Sequence, residues 1–341
     1  MTDEITAPRR GLRSQVRGAL PALLLAAMAV MFLVVPSFSG ASASNFDVYN
    51  ALQDWSSLSL LALALGITII AGEFDLSVLA MYGLGAMVAV KTGTDSPFLG
   101  IVIALAAAGA IGLIQGLVVA KLRINSMTVT LGGYLTILGL TSVLGNNKSV
   151  PYANANVGIN LDEAIGTFFS VRSLITLAVF AVAFILLRYT SLGRNLRAIG
   201  GDRRASRTSG VRVDPLVIGC FVASAMLSAL GGALLGYSLA TAVVDVGFAP
   251  LIFGITAVLL GGVALSGGRG SVLGIAAGAF TLALLRELFG VLATPDYISS
   301  LITGGLLIVV TIVSAPDLLR WWRTVRPAKG SRAAKDIAAQ E

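Results

Sequence analysis

The sequence predicts an all-α, polytopic membrane protein with about ten transmembrane helices. Hydrophobic residues make up 56% of the 341 positions and charged residues only 12%, which is more apolar surface than a water-soluble chain of this length could bury. The 39 glycines fit this class, because small residues let membrane helices approach closely. The chain has one cysteine, Cys220, and no histidine. This composition argues against a disulfide framework, a Cys/His metal site and a Ser/His/Asp catalytic arrangement.

Hydropathy along the chain predicts the spans in order. The first span follows a basic N-terminal tail and could instead be a secretory signal, but cleavage there would leave an odd number of spans. Several segments are short for an untilted span, as expected of broken or tilted helices. The predicted spans are 19–36, 51–71, 76–91, 99–120, 124–145, 167–187, 215–237, 249–265, 271–292 and 297–315.

The distribution of positive charge predicts that both termini are cytoplasmic. With ten spans, the basic N-terminal tail, the link 121–123, the arginine-rich loop 188–214 and the basic C-terminal tail all fall on one side. The opposite loops carry mainly acidic residues. We therefore divide the chain into a cytoplasmic tail (1–18), a transmembrane domain (19–315) that includes the loop 188–214, and a second cytoplasmic tail (316–341). Acidic residues in the opposite loops include Asp47, Asp162, Glu163, Asp245 and Asp296.

Two carboxylates, Glu73 and Asp75, lie between apolar runs in the stretch Ala71-Gly-Glu-Phe-Asp-Leu-Ser-Val-Leu79. A charged residue at membrane depth costs about 2.5–3.5 kcal/mol, so such a residue normally has a partner or a function. Gly72 is predicted to break the helix. Asp75 is then placed to cap the next helix, starting at Leu76, by accepting hydrogen bonds from its first amides.

Three interpretations of these carboxylates remain open at this point. The amides, carbonyls and carboxylate of the break could line a pathway for a polar solute, with Ser77 among the lining groups. Alternatively, Asp75 is only a cap and Glu73 pairs with a basic residue such as Arg269. A proton or sodium site is the third interpretation, although no second carboxylate or polar helix face accompanies it.

A faint internal repeat accompanies the break at Gly72. Gly66-Ile-Thr precedes that break, and Gly254-Ile-Thr precedes a second glycine-rich stretch. Two interrupted segments in corresponding positions of two halves are typical of internally repeated transporters, whose pathway lies at the repeat interface. Chance similarity between glycine-rich apolar strings is the alternative. The residues assigned to the two breaks are Gly72, Gly267, Gly268 and Gly270.

The adjacent pair Arg286-Glu287 lies in the ninth span, about fifteen residues or 22 Å from its cytoplasmic start. Neighbouring residues on a helix point in different directions, so each of the two needs its own partner. Snorkelling towards the external interface is one interpretation, and lining of the pathway is the other.

The loop 188–214 is predicted to contain two short helices. The first opens at Ser191-Leu-Gly-Arg-Asn and ends at Gly200-Gly201; the second covers 202–209 and stops at Gly210. Two amphipathic helices on the cytoplasmic face would form a rigid surface for a soluble partner. A basic loop that only sets orientation or contacts anionic lipid is the alternative. No G-x-x-x-x-G-K-[ST] run is present, so ATP would have to bind to a separate chain.

Four stretches resemble the permease subunits of ABC importers for monosaccharides of the ribose/xylose/galactose type, in the order of that family. Gly72-Glu-Phe-Asp-Leu-Ser-Val78 resembles the signature G-G-I-D-L-S-V-G, and Ile124-Asn-Ser-Met-Thr-Val-Thr-Leu-Gly132 resembles P-x-F-I-x-T-L-G. Gly193-Arg-Asn-Leu-Arg-Ala-Ile-Gly-Gly201 resembles G-R-x-x-x-A-I-G-G-N, and Gly267-Gly-Arg-Gly-Ser-Val-Leu-Gly274 resembles G-G-x-G-S-x-x-G.

The chain also departs from the family pattern. Glu73 replaces the second glycine of the first signature, and Leu79 replaces its last one. Asp202-Arg203-Arg204 stands where the family has Asn-Pro-Glu, and Ser126 stands where a proline is common. The pair Arg286-Glu287 occupies a region that is typically rich in asparagine and glycine.

The resemblance implies the permease subunit of an ATP-driven importer in the inner membrane, which moves a monosaccharide or related polyol into the cytoplasm by alternating access. It implies no enzymatic activity and no cofactor on this chain, with ATP and Mg bound by a cytoplasmic ABC ATPase. The other implied partners are an extracytoplasmic sugar-binding protein, a second permease copy or paralogue, and membrane lipid, without nucleic acid. The alternatives are an ABC permease for branched-chain amino acids, nucleosides or a furanose-like signal, and an ion-coupled secondary transporter with Glu73 and Asp75 as its ion site.

The chain thus has two sets of candidate site residues and no candidate metal ligands. The candidate translocation residues are Glu73, Asp75, Ser77, Asn125 and Thr130. The residues expected to dock the ATPase are Gly193, Arg194, Arg197, Ala198, Ile199, Gly200, Gly201, Asp202 and Gly210.

Overall fold

The computed structural model describes residues 12–38, 40 and 42–314. Within these residues the chain forms thirteen α-helices and four strands of two residues each. The helices are α1 (Leu12–Phe38), α2 (Asn45–Ile70), α3 (Val78–Thr92), α4 (Pro97–Leu122), α5 (Ser126–Gly145), α6 (Ala155–Asp162), α7 (Val171–Tyr189), α8 (Ser191–Gly201), α9 (Arg203–Thr208), α10 (Val213–Ser238), α11 (Ala249–Leu260), α12 (Val272–Val291) and α13 (Asp296–Ser314). The strands are β1 (Val150–Pro151), β2 (Ala164–Ile165), β3 (Phe169–Ser170) and β4 (Thr241–Ala242).

The helices lie over the predicted spans. By length and composition, seven of them are able to cross a membrane: α1 from Ala19 onwards, α2, α4, α5, α7, α10 and α12. The apolar helices α3 and α11 and the apolar part of α13 are shorter and overlap the three remaining predicted spans. The prediction of a mostly helical polytopic membrane protein is confirmed, while the count of ten spans and their orientation stay predictions. The predicted C-terminal tail, 316–341, lies outside the described residues, and α1 begins at Leu12, inside the predicted N-terminal tail.

Helix α2 occupies the centre of the bundle. In the most apolar 18-residue stretch of α2, 89% of the residues are buried, whereas the buried share of the corresponding stretch is 22% in each of α1, α4, α5 and α7. Helices α3, α10, α11 and α12 pack around α2, and the outer helices expose leucine, isoleucine and phenylalanine side chains. Such apolar outer faces are expected of a protein whose surroundings are lipid.

The bundle has two ends that are held together differently. We call the first the Gly72 end. Its segments are joined by hydrogen bonds and close contacts. They are the connections 71–77, 123–125 and 261–271 and the loop 188–214. The opposite end is the Tyr152 end. There the Tyr152 hydroxyl donates to the Gly93 carbonyl at 2.7 Å, and β1 pairs antiparallel with β4.

The Tyr152 end also contains elements that were not predicted. These are helix α6, the antiparallel hairpin of β2 and β3, and the β1–β4 pair. Strands of two residues carry no alternating pattern that sequence reading could detect. The all-α prediction therefore describes the bundle but omits the short pairings that close this end.

Helices α2 and α11 end in the same way. Gly72 and Gly262 each have a positive φ, 80° and 77°, and each amide donates to the carbonyl three residues earlier at 2.9 Å. The amide of the following residue donates to the carbonyl five residues earlier, at 2.9 and 3.2 Å respectively. This is a Schellman motif, which needs a residue that tolerates the left-handed conformation. The second connection also contains Gly267, Gly268 and Gly270, but α11 ends seven residues before the first of these, at Leu260.

Candidate functional site at the Gly72 end

Asp75 is buried at the Gly72 end and joins two helices. Its side chain is only 1% exposed. Its Oδ1 accepts hydrogen bonds from the amide and hydroxyl of Ser77 at 3.0 and 2.6 Å, and its Oδ2 accepts from the Ser224 hydroxyl of α10 at 2.9 Å. The carboxylate thus binds the start of α3 to α10. Helix α3 begins at Val78, two residues after the predicted start at Leu76.

Gln115 of α4 extends this group of polar side chains. Its amide lies 3.0 Å from the Ser77 hydroxyl, which has a single proton and donates it to Asp75. The Gln115 contact is therefore made by the amide nitrogen donating to the Ser77 oxygen, an orientation assigned from the hydrogen-bond network. Asp75, Ser77, Gln115 and Ser224 together connect α3, α4 and α10. We call them the Asp75 cluster.

The start of α5 holds the backbone of the 71–77 connection. The Ser126 hydroxyl accepts from the Phe74 amide at 3.1 Å, and the Thr130 hydroxyl accepts from the Leu76 amide at 3.1 Å while it donates to the Phe74 carbonyl at 3.2 Å. Thr130 is fully buried, so its hydroxyl is occupied by the backbone in this arrangement. Asn125 is exposed and caps α5, because its side chain accepts from the Met127 amide at 2.8 Å.

Glu73 pairs with Arg203 and not with Arg269. Its Oε1 lies 2.7 Å from Nη1 of Arg203; the Glu73 side chain is 7% exposed and that of Arg203 is 39% exposed. The expectation of a basic partner is met, but the named partner was wrong: Arg269 is exposed, whereas Arg203 is the first residue of α9. The two paired residues are 130 positions apart in the chain, so no local pattern links them.

Glycine backbones from the end of α8 and from two connections meet beside this ion pair. A Cβ placed on Gly200 would lie 2.0 Å from the Ile70 carbonyl oxygen and 2.5 Å from the Gly268 amide nitrogen. A Cβ on Gly267 would lie 2.9 Å from the Cα of Gly72. The Gly268 amide also donates to the Ile70 carbonyl at 3.0 Å. The end of α8 therefore touches the connections after α2 and after α11 at one point, which we call the glycine contact.

The loop 188–214 folds into the two helices that the sequence predicts, α8 and α9. Asp202 separates them and caps α9, since its Oδ1 accepts from the Arg204 and Ala205 amides at 2.8 and 2.9 Å. A cleft of about 490 Å³ opens between α8 and the start of α10, and Gly210 is part of its wall. Of the residues expected to dock a partner, Gly193 and Ile199 are buried and Arg197 is half-buried with a hydrogen bond to the Leu187 carbonyl. The exposed ones are Arg194, Ala198, Gly201, Asp202 and Gly210.

Arg286 and Glu287 lie towards the Tyr152 end, far along α12 from the Asp75 cluster. Nη1 of Arg286 lies 3.4 Å from Oδ2 of Asp54, and Glu287 accepts from the Asn50 side chain at 3.2 Å. The expectation of separate partners holds. Both partners are on α2, and the Arg286 side chain is 47% exposed, so snorkelling towards the external interface and lining of the pathway both stay interpretations.

A buried arginine that was not predicted lies near the same end. Arg172 is 5% exposed; its Nε lies 2.8 Å from Oδ1 of Asp162, and its guanidinium donates to Gln53 and Ser57 of α2 at 3.1 and 2.9 Å. The signal that could have revealed it is the same for Gln115 and Ser224: a polar side chain within or beside an apolar run. Among the described residues, no group of three or more metal-ligating side chains occurs.

The fold and this site define a multi-pass membrane protein whose buried polar side chains join helix ends. A family model described as "Branched-chain amino acid transport system / permease component" matches residues 48–311, and the chain belongs to that family. The predicted resemblance to permease subunits of monosaccharide ABC importers is confirmed by its relatives.

Three curated relatives illustrate this similarity. The ribose import permease protein RbsC of Escherichia coli (strain K12) is 29% identical over 299 residues, which are 85% of this chain and 92% of the relative. The L-arabinose ABC transporter permease protein AraH of Azospirillum brasilense is 28% identical over 302 residues, 87% of this chain and 86% of the relative. The galactose/methyl galactoside import permease protein MglC of Escherichia coli (strain K12) is 27% identical over 331 residues, 90% and 95% of the two chains. No solved structure matches the chain.

Proposed function

We propose that this chain crosses the membrane ten times and is the subunit of an ATP-driven importer that moves a monosaccharide or related polyol by alternating access. One observation carries the proposal: permeases named for ribose, L-arabinose and galactose match 85%, 87% and 90% of this chain. In this proposal both termini are cytoplasmic, and the Gly72 end faces the cytoplasm. The basic loop 188–214 at that end supports the orientation.

The same loop is the proposed docking site for a cytoplasmic ABC ATPase. Helices α8 and α9 give it a fixed shape, and the adjacent cleft of about 490 Å³ gives a partner a concave surface to enter. Exposed Arg194, Ala198, Gly201, Asp202 and Gly210 are the residues available for contact. The ATPase would bind ATP and Mg, and this chain would supply the moving element. The glycine contact supports this role, because it joins the loop directly to the connections that follow α2 and α11.

The Tyr152 end is the proposed outer surface. There an extracytoplasmic sugar-binding protein would deliver solute to α6 and the short strand pairs. A second permease copy or paralogue would complete the pathway, and membrane lipid would cover the remaining apolar faces. Of the candidate translocation residues, Asp75, Ser77 and Thr130 are buried and hydrogen-bonded. Solute would reach them only in a conformation in which α3, α5 and α10 have separated.

A branched-chain amino acid is the second candidate solute, because the matching family is described by that transport. Sugars and these amino acids differ in what a binding site must supply. A sugar needs many hydrogen-bond partners, whereas an α-amino acid needs one site for each of its two charges. The relatives named for monosaccharides favour the first.

The test is uptake of radiolabelled solutes into matched cells with and without the gene. The panel contains D-ribose, L-arabinose, D-galactose, a nucleoside and L-leucine, each with vanadate or with an ionophore. Loss of one sugar's vanadate-sensitive uptake on deletion is the expected result, and a variant with Gly200→Trp, accumulated to the same level, serves as the transport-negative control. Ionophore-sensitive uptake that vanadate leaves intact would contradict the proposal. It would instead favour an ion-coupled transporter.

A further inference from the structure

Two of this chain's departures from the family pattern touch each other. Glu73 stands where the signature has its second glycine, and Arg203 stands where the family has a proline. In the folded chain these two residues form one ion pair with an N–O distance of 2.7 Å. Position 203 is the first residue of α9, behind its cap Asp202, where a proline is tolerated because the amide there needs no helical partner. The arginine is therefore not required by the helix, and its contact with Glu73 gives it another role.

The ion pair adds a charged link beside the glycine contact. Glu73 is 7% exposed, and no other cation lies within ion-pair distance of it among the described residues. Removing the charged partner of such a buried carboxylate is strongly destabilising, because it leaves an uncompensated charge in the protein interior. Nε and Nη2 of Arg203 are buried without an acceptor in the described part of the chain, so the arginine is held at this place by Glu73 and not by a larger network.

The link leads directly to the Asp75 cluster. Glu73 and Asp75 belong to the same short connection, and Ser126 and Thr130 fix the backbone between and beside them. A displacement of α9 that carries Glu73 along must also displace Asp75. Asp75 in turn holds α3 and α10 through Ser77 and Ser224.

We propose that Glu73 and Arg203 are paired positioning residues that make the loop 188–214 and the 71–77 connection move as one body during transport. The proposal rests on the proposed function, since it assigns the route by which movement of a docked ATPase reaches the helices. This role requires no contact of either residue with solute or ATP. Their contribution is to prevent the loop from shifting while the helices stay where they are.

The first experiment compares variants with Glu73→Gln, Arg203→Gln and Arg203→Lys in the complete transporter, reconstituted with its ATPase in lipid vesicles. We expect each glutamine variant to retain the ATPase and to lower sugar uptake per ATP hydrolysed at least five-fold, while Arg203→Lys keeps more than half of the wild-type ratio. The uptake probe is the labelled D-ribose, L-arabinose or D-galactose that the wild-type chain carries. Arg286→Gln, which removes the exposed ion pair with Asp54 near the opposite end, is the matched control and should leave the ratio unchanged.

A second experiment replaces the ion pair by a covalent link. In a Cys220→Ala background, Glu73→Cys and Arg203→Cys are introduced together and joined by a bifunctional thiol reagent. If the two elements move as one body, the unlinked chain has the low ratio of the glutamine variants and the linked chain recovers at least half of wild-type uptake. If the elements separate during transport, the link abolishes uptake.

The outcomes separate this inference from the proposed function. Glutamine variants with the wild-type ratio, or a link that stops uptake, would overturn the inference alone. A wild-type chain that captures no ABC ATPase and shows no vanadate-sensitive uptake would overturn the proposed function as well. If a glutamine variant fails to accumulate in the membrane, the inference is tested by comparing uptake by the linked and unlinked forms of the double-cysteine chain. Both forms come from one preparation.

Discussion

Replacing Gly200 by alanine tests the glycine contact at the atom where it is tightest. The new Cβ would lie 2.0 Å from the Ile70 carbonyl oxygen and 2.5 Å from the Gly268 amide nitrogen. The first is a backbone atom at the end of α2 and the second a backbone atom of the connection 261–271, and a hydrogen bond joins these two residues, so neither can move aside alone. Gly201, the next residue of α8, is the matched control because a Cβ there would have no neighbour within 4 Å.

The size of the effect follows from these distances. Ordinary contact begins at 3.4 Å, so the end of α8 must withdraw by about 1.4 Å from the Ile70 carbonyl oxygen. Such overpacking costs about 1–3 kcal/mol, and strain on the 3.0 Å hydrogen bond from Gly268 to Ile70 adds about 1 kcal/mol. Alanine gains about 0.5–1 kcal/mol over glycine in a helix. The Gly200 variant should therefore lose a net of about 1–3.5 kcal/mol of unfolding free energy, whereas the Gly201 variant should lose none.

The assay is equilibrium unfolding of the purified chain in mixed dodecylmaltoside and SDS micelles, followed by tryptophan fluorescence. The two variants carry the same chemical change at adjacent positions, so detergent and expression effects cancel in their difference. Equal stability of both variants would contradict this prediction, as would a loss at Gly201 as large as that at Gly200. Either result would mean that α8 does not touch the two connections as described.

Two further pairs of substitutions test buried polar groups by the same unfolding measurement. Asp75→Ala leaves three buried donors of Ser77 and Ser224 without an acceptor and should lower the free energy of unfolding by at least about 3 kcal/mol. Asp75→Asn keeps one acceptor oxygen and should lower it clearly less. Equal losses would contradict the role of the carboxylate as an acceptor. Arg172→Met removes a buried partner of Asp162 and should lower the free energy of unfolding by about 3 kcal/mol or more. Arg286→Gln, in an exposed pair, should lower it by about 0–1 kcal/mol. A larger loss for Arg286→Gln than for Arg172→Met would contradict the burial of Arg172.

The sequence was sufficient to predict the long apolar helices and the class of the protein, but not helix α6. Apolar runs gave α1 to α5 and the later spans because burial in lipid needs long stretches without charge, which any window along the chain detects. Short helices α8 and α9 were predictable for a different reason. Their ends carry local signals, a polar residue at the start and glycines at the end. The caps observed are Thr190 and Asp202, which accept from the amides of Leu192 and Arg204; the prediction opens the first helix one residue after this first cap, at Ser191.

Pairings across long sequence distances were not predictable. Arg203 and Arg269 are equally basic and both follow glycine-rich stretches, and only the fold places the first beside Glu73. The same applies to Ser224, which reaches Asp75 from 149 positions away. A polar residue in an apolar run signals that a partner exists, but the identity of that partner depends on how the helices pack.

The contacts of Asp75 and Glu73 indicate which of these two carboxylates can respond to a movement of the loop 188–214. A carboxylate has about four lone-pair positions, and protein donors occupy three of those of Asp75. Asp75 therefore has little capacity left for a solute while α3 and α10 are together, and it acts in this conformation as the bond that keeps them together. Glu73 has a single charged partner, and that partner lies on the loop. Of the two acidic residues, the one nearer the loop is thus suited to receive a movement, and the one deeper in the bundle is suited to transmit it.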